Sequence, residues 1–178
     1  MDNYFIKSER LGFSTWGKEK FPFAKELWGN INVTKLIDSR GELNDNQIFE
    51  KLNAEIENYK KHGIQYYPIF LLENNEFVGC CGLKPYDLDN GVYEIGFHIV
   101  PNHWKKGIAK ESATRIIKYA FVDLKANELF AGHNPNNIGS QKLLNKLGFE
   151  YIGVEFFEPT GLNHPSYRMK RNTTFNNT

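Results

Sequence analysis

Apolar residues recur at helical spacing in four segments of the chain, and glycines mark where several of these segments stop. The clearest segment carries apolar side chains at steps of four, four and three residues, at Ile48, Leu52, Ile56 and Tyr59. Gly63 follows it, and a glycine just past the last periodic residue is typical of a helix end. The predicted helices are Lys18–Gly29, Asp45–His62, Ile108–Leu124 and Asn136–Leu147.

Other segments are short, rich in aromatic and β-branched residues, and bounded by polar turns, a pattern that is typical of strands. The turns at 73–76 and 87–91 are too short for a crossover, so the strands on either side of each are expected to pair as antiparallel hairpins. The predicted strands are Ser8–Trp16, Gln65–Leu72, Phe77–Leu83, Val92–Val100, Glu128–His133, Phe149–Phe157 and Ser166–Lys170.

The passage from Val92 to Ala131 predicts a strand, a helix and a second strand, and such a right-handed crossover makes its two strands parallel neighbours. We therefore predict an α/β fold with a mixed, mostly antiparallel central sheet and helices on both faces. The 178 residues leave room for one core, and we assign residues 1–171 to this single domain. The polar segment 172–178 is expected to be a disordered tail.

Composition narrows the classes of partner. The 22 lysines and arginines are nearly balanced by 21 acidic residues, so charge gives no support for binding to nucleic acid or to an anionic membrane. No apolar run reaches the roughly 18 residues that a membrane-spanning helix needs. The first residues lack a charged region followed by an apolar one, so we expect no secretory signal and a cytoplasmic location.

The cysteines and histidines give little sign of redox or metal chemistry. Cys80 and Cys81 are the only cysteines, and on a strand their side chains point to opposite faces, which excludes an intramolecular disulfide. We interpret them as buried strand residues, because no histidine stands at a spacing that indicates a nucleophile pair. The five histidines are scattered along the chain, so no metal site is expected.

The segment Ile99-Val-Pro-Asn-His-Trp-Lys-Lys-Gly-Ile-Ala109 leads from a predicted buried strand into a helix that opens around Gly107. A helix N-terminus presents unpaired N–H groups and partial positive charge, and it therefore favours an anion such as a phosphate. Lys105, Lys106 and Lys110 add positive charge there. The same residues also fit an ordinary strand-to-helix turn with solvated lysines.

Four motifs in this chain resemble those of the GCN5-related N-acetyltransferase (GNAT) superfamily, in the family's order. They resemble most the branch of the ribosomal-protein alanine and serine N-acetyltransferases, the RimJ/RimL-like proteins. The loop motif is Gly-x-Ala-x-Glu with Trp104 before it, where the wider superfamily has Gln or Arg. The motifs begin at Ser8 (Ser-Glu-Arg-Leu-x-Phe), Glu94 (Glu-Ile-Gly-Phe), Gly107 and Asn137 (Asn-Ile-Gly-Ser-Gln-Lys-Leu-Leu-Asn-Lys-Leu-Gly-Phe).

The resemblance implies an acetyl-CoA-dependent N-acetyltransferase in which the two parallel strands splay apart around the pantetheine arm. It places the pantetheine on the strand edge His98, Ile99 and Val100, which also offers a backbone N–H to the thioester carbonyl. Asn137 would hold the pantetheine amides, although an asparagine there is equally suited to cap a helix. The other residues implied to bind acetyl-CoA are Lys105, Lys106, Gly107, Ile108, Ala109, Lys110 and Ser140.

Acetyl transfer needs a base for the attacking amine, and Glu94 is the predicted base because it lies on the central strand, on the same face as His98. The alternative is that Glu94 pairs with a buried cation or caps a neighbouring element, and His133 is a weaker candidate base. Many family members supply a tyrosine as the acid, but Leu143-Leu144-Asn145 has none there. The nearest hydroxyl is that of Ser140, which the resemblance implies as the substitute, either as the acid or only to orient the sulfur. The alternative is that the thiolate leaves unprotonated.

The acceptor is predicted to be an amine, and the resemblance favours the N-terminal α-amine of a protein or peptide. A polyamine or aminoglycoside-like amine is the alternative within the same chemistry, and a CoA-binding sensor without turnover is the alternative of another class. The enzyme is expected to act as a monomer or homodimer. The aromatic residues Trp28, Tyr66, Tyr67 and Tyr86 either line an acceptor pocket or belong to the core.

Overall fold

The computed structural model describes residues 4–172 as one mixed sheet covered by helices. The strands are β1 (Ile6–Lys7), β2 (Leu11–Phe13), β3 (Tyr66–Leu71), β4 (Phe77–Asp87), β5 (Val92–Ile99), β6 (Glu128–Gly132), β7 (Glu150–Phe157) and β8 (Leu162–Lys170). The helices are α1 (Phe21–Trp28), α2 (Ile31–Thr34), α3 (Asp45–His62), α4 (Ile108–Lys118) and α5 (Ile138–Leu147). Of the predicted tail 172–178, only the first residue lies within the described range.

Within the described residues the strand order is β1-β2-β3-β4-β5-β6-β8-β7. The β5–β6 pair is parallel, and the other neighbouring pairs are antiparallel. The predicted crossover through α4 and the predicted hairpins on both sides of β4 are therefore confirmed. None of the helices within residues 4–172 combines the length and the hydrophobicity that a bilayer-spanning segment requires.

Apolar clusters lie on both faces of the sheet, as predicted. On one face α4 buries Ile108, Ala113 and Ile116 against the strands. On the other face α1 and α3 bury a second cluster that includes Trp28 and Leu52. The neighbouring cysteines are divided between the faces, with Cys80 in the second cluster and Cys81 in the first, which confirms that they point in opposite directions.

The boundaries of α3 match the prediction at both ends because both ends are capped locally. The Asn44 side-chain oxygen accepts a hydrogen bond from the N–H of Gln47 at 3.0 Å, and the Gln47 side-chain oxygen accepts one from the N–H of Asn44 at 3.0 Å. Gly63 ends the helix in the left-handed conformation at φ 71°.

Several predicted elements have different boundaries in the structure. The predicted helix over 108–124 is α-helical only to Lys118 and continues as a π-helical turn, in which the N–H of Leu124 bonds to the carbonyl of Tyr119, five residues back. Helix α2, which has four residues, was not predicted because it is too short to produce a periodic pattern. Strand β8 begins at Leu162 rather than Ser166, and it pairs with β7 in an antiparallel hairpin that the sequence did not predict.

The prediction of one strand over Ser8–Trp16 is wrong, because the chain turns between β1 and β2. Glu111 of α4 holds this turn by accepting hydrogen bonds from the Ser8 hydroxyl at 2.7 Å and from the N–H and Nε of Arg10 at 2.8 and 2.7 Å. Two of the sequence motifs therefore meet in space: the glutamate of the loop motif fixes the serine and arginine of the N-terminal motif.

We expect Glu111→Gln to lower the free energy of unfolding by about 2 kcal/mol at neutral pH, because hydrogen bonds to a charged group contribute about 1.5–3 kcal/mol. Burial raises the pKa of Glu111, but the hydrogen bonds from Ser8 and Arg10 have the larger combined effect, so the pKa is lowered. The carboxylate therefore stabilises the fold above the ordinary glutamate pKa, and this contribution is lost as the pH falls through the lowered value. Thermal unfolding at several pH values measures the difference, with the neighbouring exposed Glu9→Gln as the control. Equal stability of the two variants at neutral pH would contradict the role given to Glu111.

Candidate active site

The sheet opens between β5 and β6. The two strands pair only as far as Glu94, although β5 continues to Ile99 and β6 to Gly132. A cleft of about 1010 Å³ occupies the opening and is lined by both strands and by the first turns of α4 and α5. The splayed parallel pair that the family resemblance implied is therefore present.

The edge of β5 beyond Glu94 presents backbone groups to this cleft. The N–H of Val100 donates to the carbonyl of Val78 on β4 at 3.1 Å. Because backbone N–H and C=O groups alternate in direction along a strand, the backbone groups of Phe97 and Ile99 face away from β4, toward the opening. The indole N–H of Trp104 donates to the carbonyl of Ile99 at 2.7 Å, which leaves the Ile99 N–H available. Of the three residues predicted to form the pantetheine edge, His98, Ile99 and Val100, it is thus Ile99 that presents its backbone N–H to the cleft.

The loop before α4 leaves the start of the helix open. Gly107 adopts a left-handed conformation at φ 81°, and no side chain caps the helix that begins at Ile108. The added Cβ of any other residue at 107 would meet only the Arg10 side chain, so the space over the loop is free. Lys105 and Lys110 are exposed beside it. The uncapped N–H groups and the lysines together suit an anion.

Most of the residues predicted to hold acetyl-CoA line the cleft. Two do not: Val100 is buried in the cluster under α1 and α3, and Lys106 lies outside the lining, with its carbonyl accepting a hydrogen bond from Arg10 at 3.2 Å. The residues that line the cleft are His98, Ile99, Lys105, Gly107, Ile108, Ala109, Lys110, Asn137 and Ser140.

Asn137 is the N-cap of α5, and its side-chain oxygen accepts from the N–H of Ser140 at 3.0 Å. Capping uses the oxygen and leaves the amide NH₂ as a donor, so the two predicted roles of Asn137 are compatible. The first turn of α5 also places the half-buried Ser140 in the lining of the cleft.

Glu94 lies in the same cleft, where its carboxylate accepts a hydrogen bond from the Tyr66 hydroxyl at 2.8 Å. Burial raises the pKa of Glu94, and the Tyr66 hydrogen bond and the charge of Lys84 only partly offset it. Burial also raises the pKa of Tyr66 well above its ordinary value, so its hydroxyl stays protonated and acts as the donor. A carboxylate with a raised pKa takes up a proton more readily than an exposed one, as a general base must.

Tyr66 is held by residues that the sequence analysis did not single out. The buried carboxylate of Glu55 accepts the Tyr66 N–H at 2.8 Å and forms an ion pair of 3.1 Å with Lys84, whose ammonium lies 4.3 Å from the centre of the Tyr66 ring. The ring crosses β5 at Gly96, where a Cβ atom would overlap the Tyr66 hydroxyl. The sequence does contain one indication that Glu55 is buried: it stands three residues after Leu52, on the face of α3 that is otherwise apolar.

His98 lies on the same face of β5 as Glu94, as predicted. Its Nδ1 accepts from the indole N–H of Trp28 at 3.2 Å, and an indole can only donate, so the ring proton is on Nε2. Burial, together with the charges of Lys84 and Lys51, lowers the pKa of His98 to about 3, so the ring is neutral at pH 7.

Of the four aromatic residues weighed as pocket residues, Tyr66 and Tyr86 line the cleft, whereas Trp28 and Tyr67 are core side chains. The Tyr86 hydroxyl donates to Glu155 of β7 at 2.9 Å, and its ring stacks on Phe130 at 4.1 Å.

His133 lines the cleft, but both of its ring nitrogens already have neighbours. Nδ1 lies 2.8 Å from the carbonyl of Asn134, and Nε2 lies 3.3 Å from the Tyr167 hydroxyl. Within residues 4–172 there is no group of three side chains placed to hold a metal ion.

Comparison with known proteins identifies the family. The family model described as "Acetyltransferase (GNAT) domain" matches residues 10–150. The chain is 30% identical over 149 residues to the uncharacterized N-acetyltransferase p20 of Bacillus licheniformis, a match that covers 84% of each chain.

Solved structures show the same fold. A GNAT-family acetyltransferase from Bacillus anthracis superposes with a TM-score of 0.78 at 25% identity, over 93% of this chain and 97% of the other. The ribosomal L7/L12 α-N-protein acetyltransferase RimL, in complex with coenzyme A, superposes with a TM-score of 0.79 at 14% identity, over 94% and 98%. The family match, the relative and the splayed sheet together lead to one conclusion: this chain belongs to the GNAT acetyltransferase family and is an acetyl-CoA-dependent acyltransferase.

Proposed function

We propose that the enzyme transfers the acetyl group of acetyl-CoA to the N-terminal α-amine of a protein or peptide. The observation that carries the proposal is the arrangement along one cleft of an uncapped helix start at Gly107, an unpaired strand edge at Ile99 and a buried carboxylate at Glu94. The likeness to a ribosomal-protein α-amine acetyltransferase supports the choice of acceptor.

Acetyl-CoA fits the residues at one end of the cleft. The free N–H groups at Ile108 and Ala109 suit the diphosphate, with Lys105 and Lys110 beside it. The unpaired backbone of Phe97 and Ile99 suits the pantetheine amides, which would add to β5 as an extra strand does.

At the other end, Glu94 acts as the base. An α-amine has an ordinary pKa of about 7.8, so a large share carries a proton at neutral pH and must lose it before attack. Glu94 takes this proton, directly or through a water, and Tyr66 holds the carboxylate in place. The Phe97 N–H, which also faces the opening and lies nearer to Glu94 along β5, donates to the thioester carbonyl as negative charge develops on its oxygen.

The acetyl group passes directly from sulfur to nitrogen. Cys80 and Cys81 are buried and absent from the lining of the cleft, and burial raises the pKa of both thiols, so neither is placed to form an acyl-enzyme. Ser140, at the first turn of α5, orients the departing sulfur with its hydroxyl.

A thermal-shift titration tests the cofactor. Acetyl-CoA at about 100 times its dissociation constant stabilises the folded protein by about 2.7 kcal/mol, which corresponds to a rise in Tm of about 5–10 °C for a chain of this size. We expect this rise with acetyl-CoA and no comparable rise with ATP or NAD. No rise with acetyl-CoA, or an equal rise with ATP, would contradict the assignment of the Gly107 loop.

A further inference from the structure

The β7–β8 hairpin forms a wall of the cleft that the sequence analysis did not foresee. It contributes Glu155, Phe156 and Phe157 to the lining. The tip of the hairpin is fixed to the segment after α2, because the N–H of Ser39 donates to the carbonyl of Pro159 at 2.7 Å. The hairpin is therefore a positioned part of the acceptor end.

Lysines near this end of the cleft already have acidic partners. Lys84 forms its ion pair with Glu55 at 3.1 Å, and Lys51 forms one with Asp38 at 3.2 Å. These pairs neutralise positive charge that would otherwise repel a cationic acceptor.

Glu155 has no such partner. Its oxygens accept from the Tyr86 hydroxyl at 2.9 and 3.1 Å, and within the described residues no lysine or arginine forms an ion pair with it. A carboxylate has room for several donors, so Glu155 can accept more from a ligand. It lies close enough to Glu94 for its charge to add to the effect of burial in raising the Glu94 pKa.

The surface beside Glu155 is apolar. Phe157, two residues after Glu155 and therefore on the same face of β7, is 37% exposed and lines the cleft. Val33 and Ile37 line it from the segment around α2. Together these residues form an apolar patch in the lining of the cleft, a feature typical of ligand-binding surfaces.

We propose that Glu155 is a specificity-determining residue that binds the ammonium of the acceptor, and that the neighbouring Phe157, with Val33 and Ile37, selects an acceptor with an apolar group beside a single ammonium. This inference rests on the proposed function and narrows its substrate class to peptides whose first residue is apolar. The ammonium binds at Glu155 and passes one proton to Glu94, and the neutral amine then attacks the thioester carbonyl. As the C–S bond breaks, CoA leaves as the thiolate, and the second proton lost by the nitrogen neutralises it. A polyamine is a poor fit, since Glu94 and Glu155 are the only acidic residues in the cleft lining within residues 4–172.

The test compares acceptors and variants by the release of free CoA thiol. We expect a peptide that begins with Leu to have a higher kcat/KM than the same peptide beginning with Asp, and a higher one than spermidine. In Glu155→Gln we expect the KM for the Leu peptide to rise about tenfold, as for the loss of a charge-assisted hydrogen bond, with kcat and the KM for acetyl-CoA little changed. Glu158→Gln is the matched control, because this acidic residue lies in the same hairpin outside the cleft lining.

Calorimetric titration of the Leu peptide into the enzyme saturated with CoA gives a second readout that does not need turnover, and we expect Glu155→Gln to bind about tenfold more weakly than the wild type. An unchanged KM and affinity in Glu155→Gln, or a preference for the Asp peptide over the Leu peptide, would overturn the inference and leave the proposed function standing. A preference for spermidine over both peptides, no peptide binding by an enzyme that binds acetyl-CoA, or failure of the wild type to bind acetyl-CoA would overturn the proposed function, and the inference with it.

Discussion

Glu94→Gln is expected to lower kcat about a hundredfold, because a positioned general base contributes about 10²–10⁴ to the rate. Glutamine keeps the size of the side chain and an oxygen that can accept the Tyr66 hydrogen bond of 2.8 Å, but it cannot take up the proton of the amine. The KM for acetyl-CoA should change little, since Glu94 lies away from the Gly107 loop. Steady-state kinetics by thiol release measures both constants.

The pH profile separates a base from a residue that only shapes the cleft. Burial raises the pKa of Glu94, so kcat of the wild type should rise with pH through a value above that of an exposed glutamate, and this rise should be absent in Glu94→Gln. Tyr66→Phe removes a hydrogen bond that lowers this pKa, so the same rise should move to higher pH. A change in rate of less than tenfold in Glu94→Gln would show that the base has been misassigned.

Gly107→Ala is expected to weaken the binding of acetyl-CoA at least about tenfold, which corresponds to the loss of one hydrogen bond to a charged group. A methyl group at 107 has room within the protein, since it meets only Arg10 at 3.4 Å. It occupies, however, the free space over the loop through which a phosphate must approach the N–H groups at the start of α4.

Gly63→Ala is the matched control for Gly107→Ala. Gly63 has nearly the same left-handed conformation, with φ 71° against 81°, and no atom within 4 Å of an added Cβ. Both variants should lose about 1–2 kcal/mol of stability from the backbone strain, but only Gly107→Ala should bind acetyl-CoA more weakly. Calorimetric titration with acetyl-CoA measures the affinities, and an equal affinity in the two variants would show that the loop does not hold the phosphates.

The elements that the sequence predicted well are those whose ends are determined locally. Helix α3 has its cap at Asn44 and its stop at Gly63 within its own segment, and the crossover from β5 to β6 follows from the order of its elements. The N-terminal strand was predicted wrongly because its turn depends on Glu111, which lies 101 residues after Arg10. No local pattern carries such a contact.

The same distinction applies to the candidate site. Glu94 and Asn137 belong to motifs that are continuous in sequence, so the sequence alone predicts them as site residues. Glu55, Lys84 and Glu155 come from three separate elements, and their roles depend on how α3, β4 and β7 meet around Tyr66 and Tyr86. The sequence motifs therefore predicted the lining of the cleft near Gly107 better than its lining near Glu155.

The most direct measurement is mass spectrometry of an unblocked peptide with an apolar first residue after incubation with the enzyme and acetyl-CoA. The proposed function predicts the gain of one acetyl group, located at the N-terminal nitrogen by fragmentation, together with an equal amount of free CoA. Acetylation of a lysine side chain in place of the N-terminus, or an unmodified peptide under conditions in which a polyamine is acetylated, would contradict it.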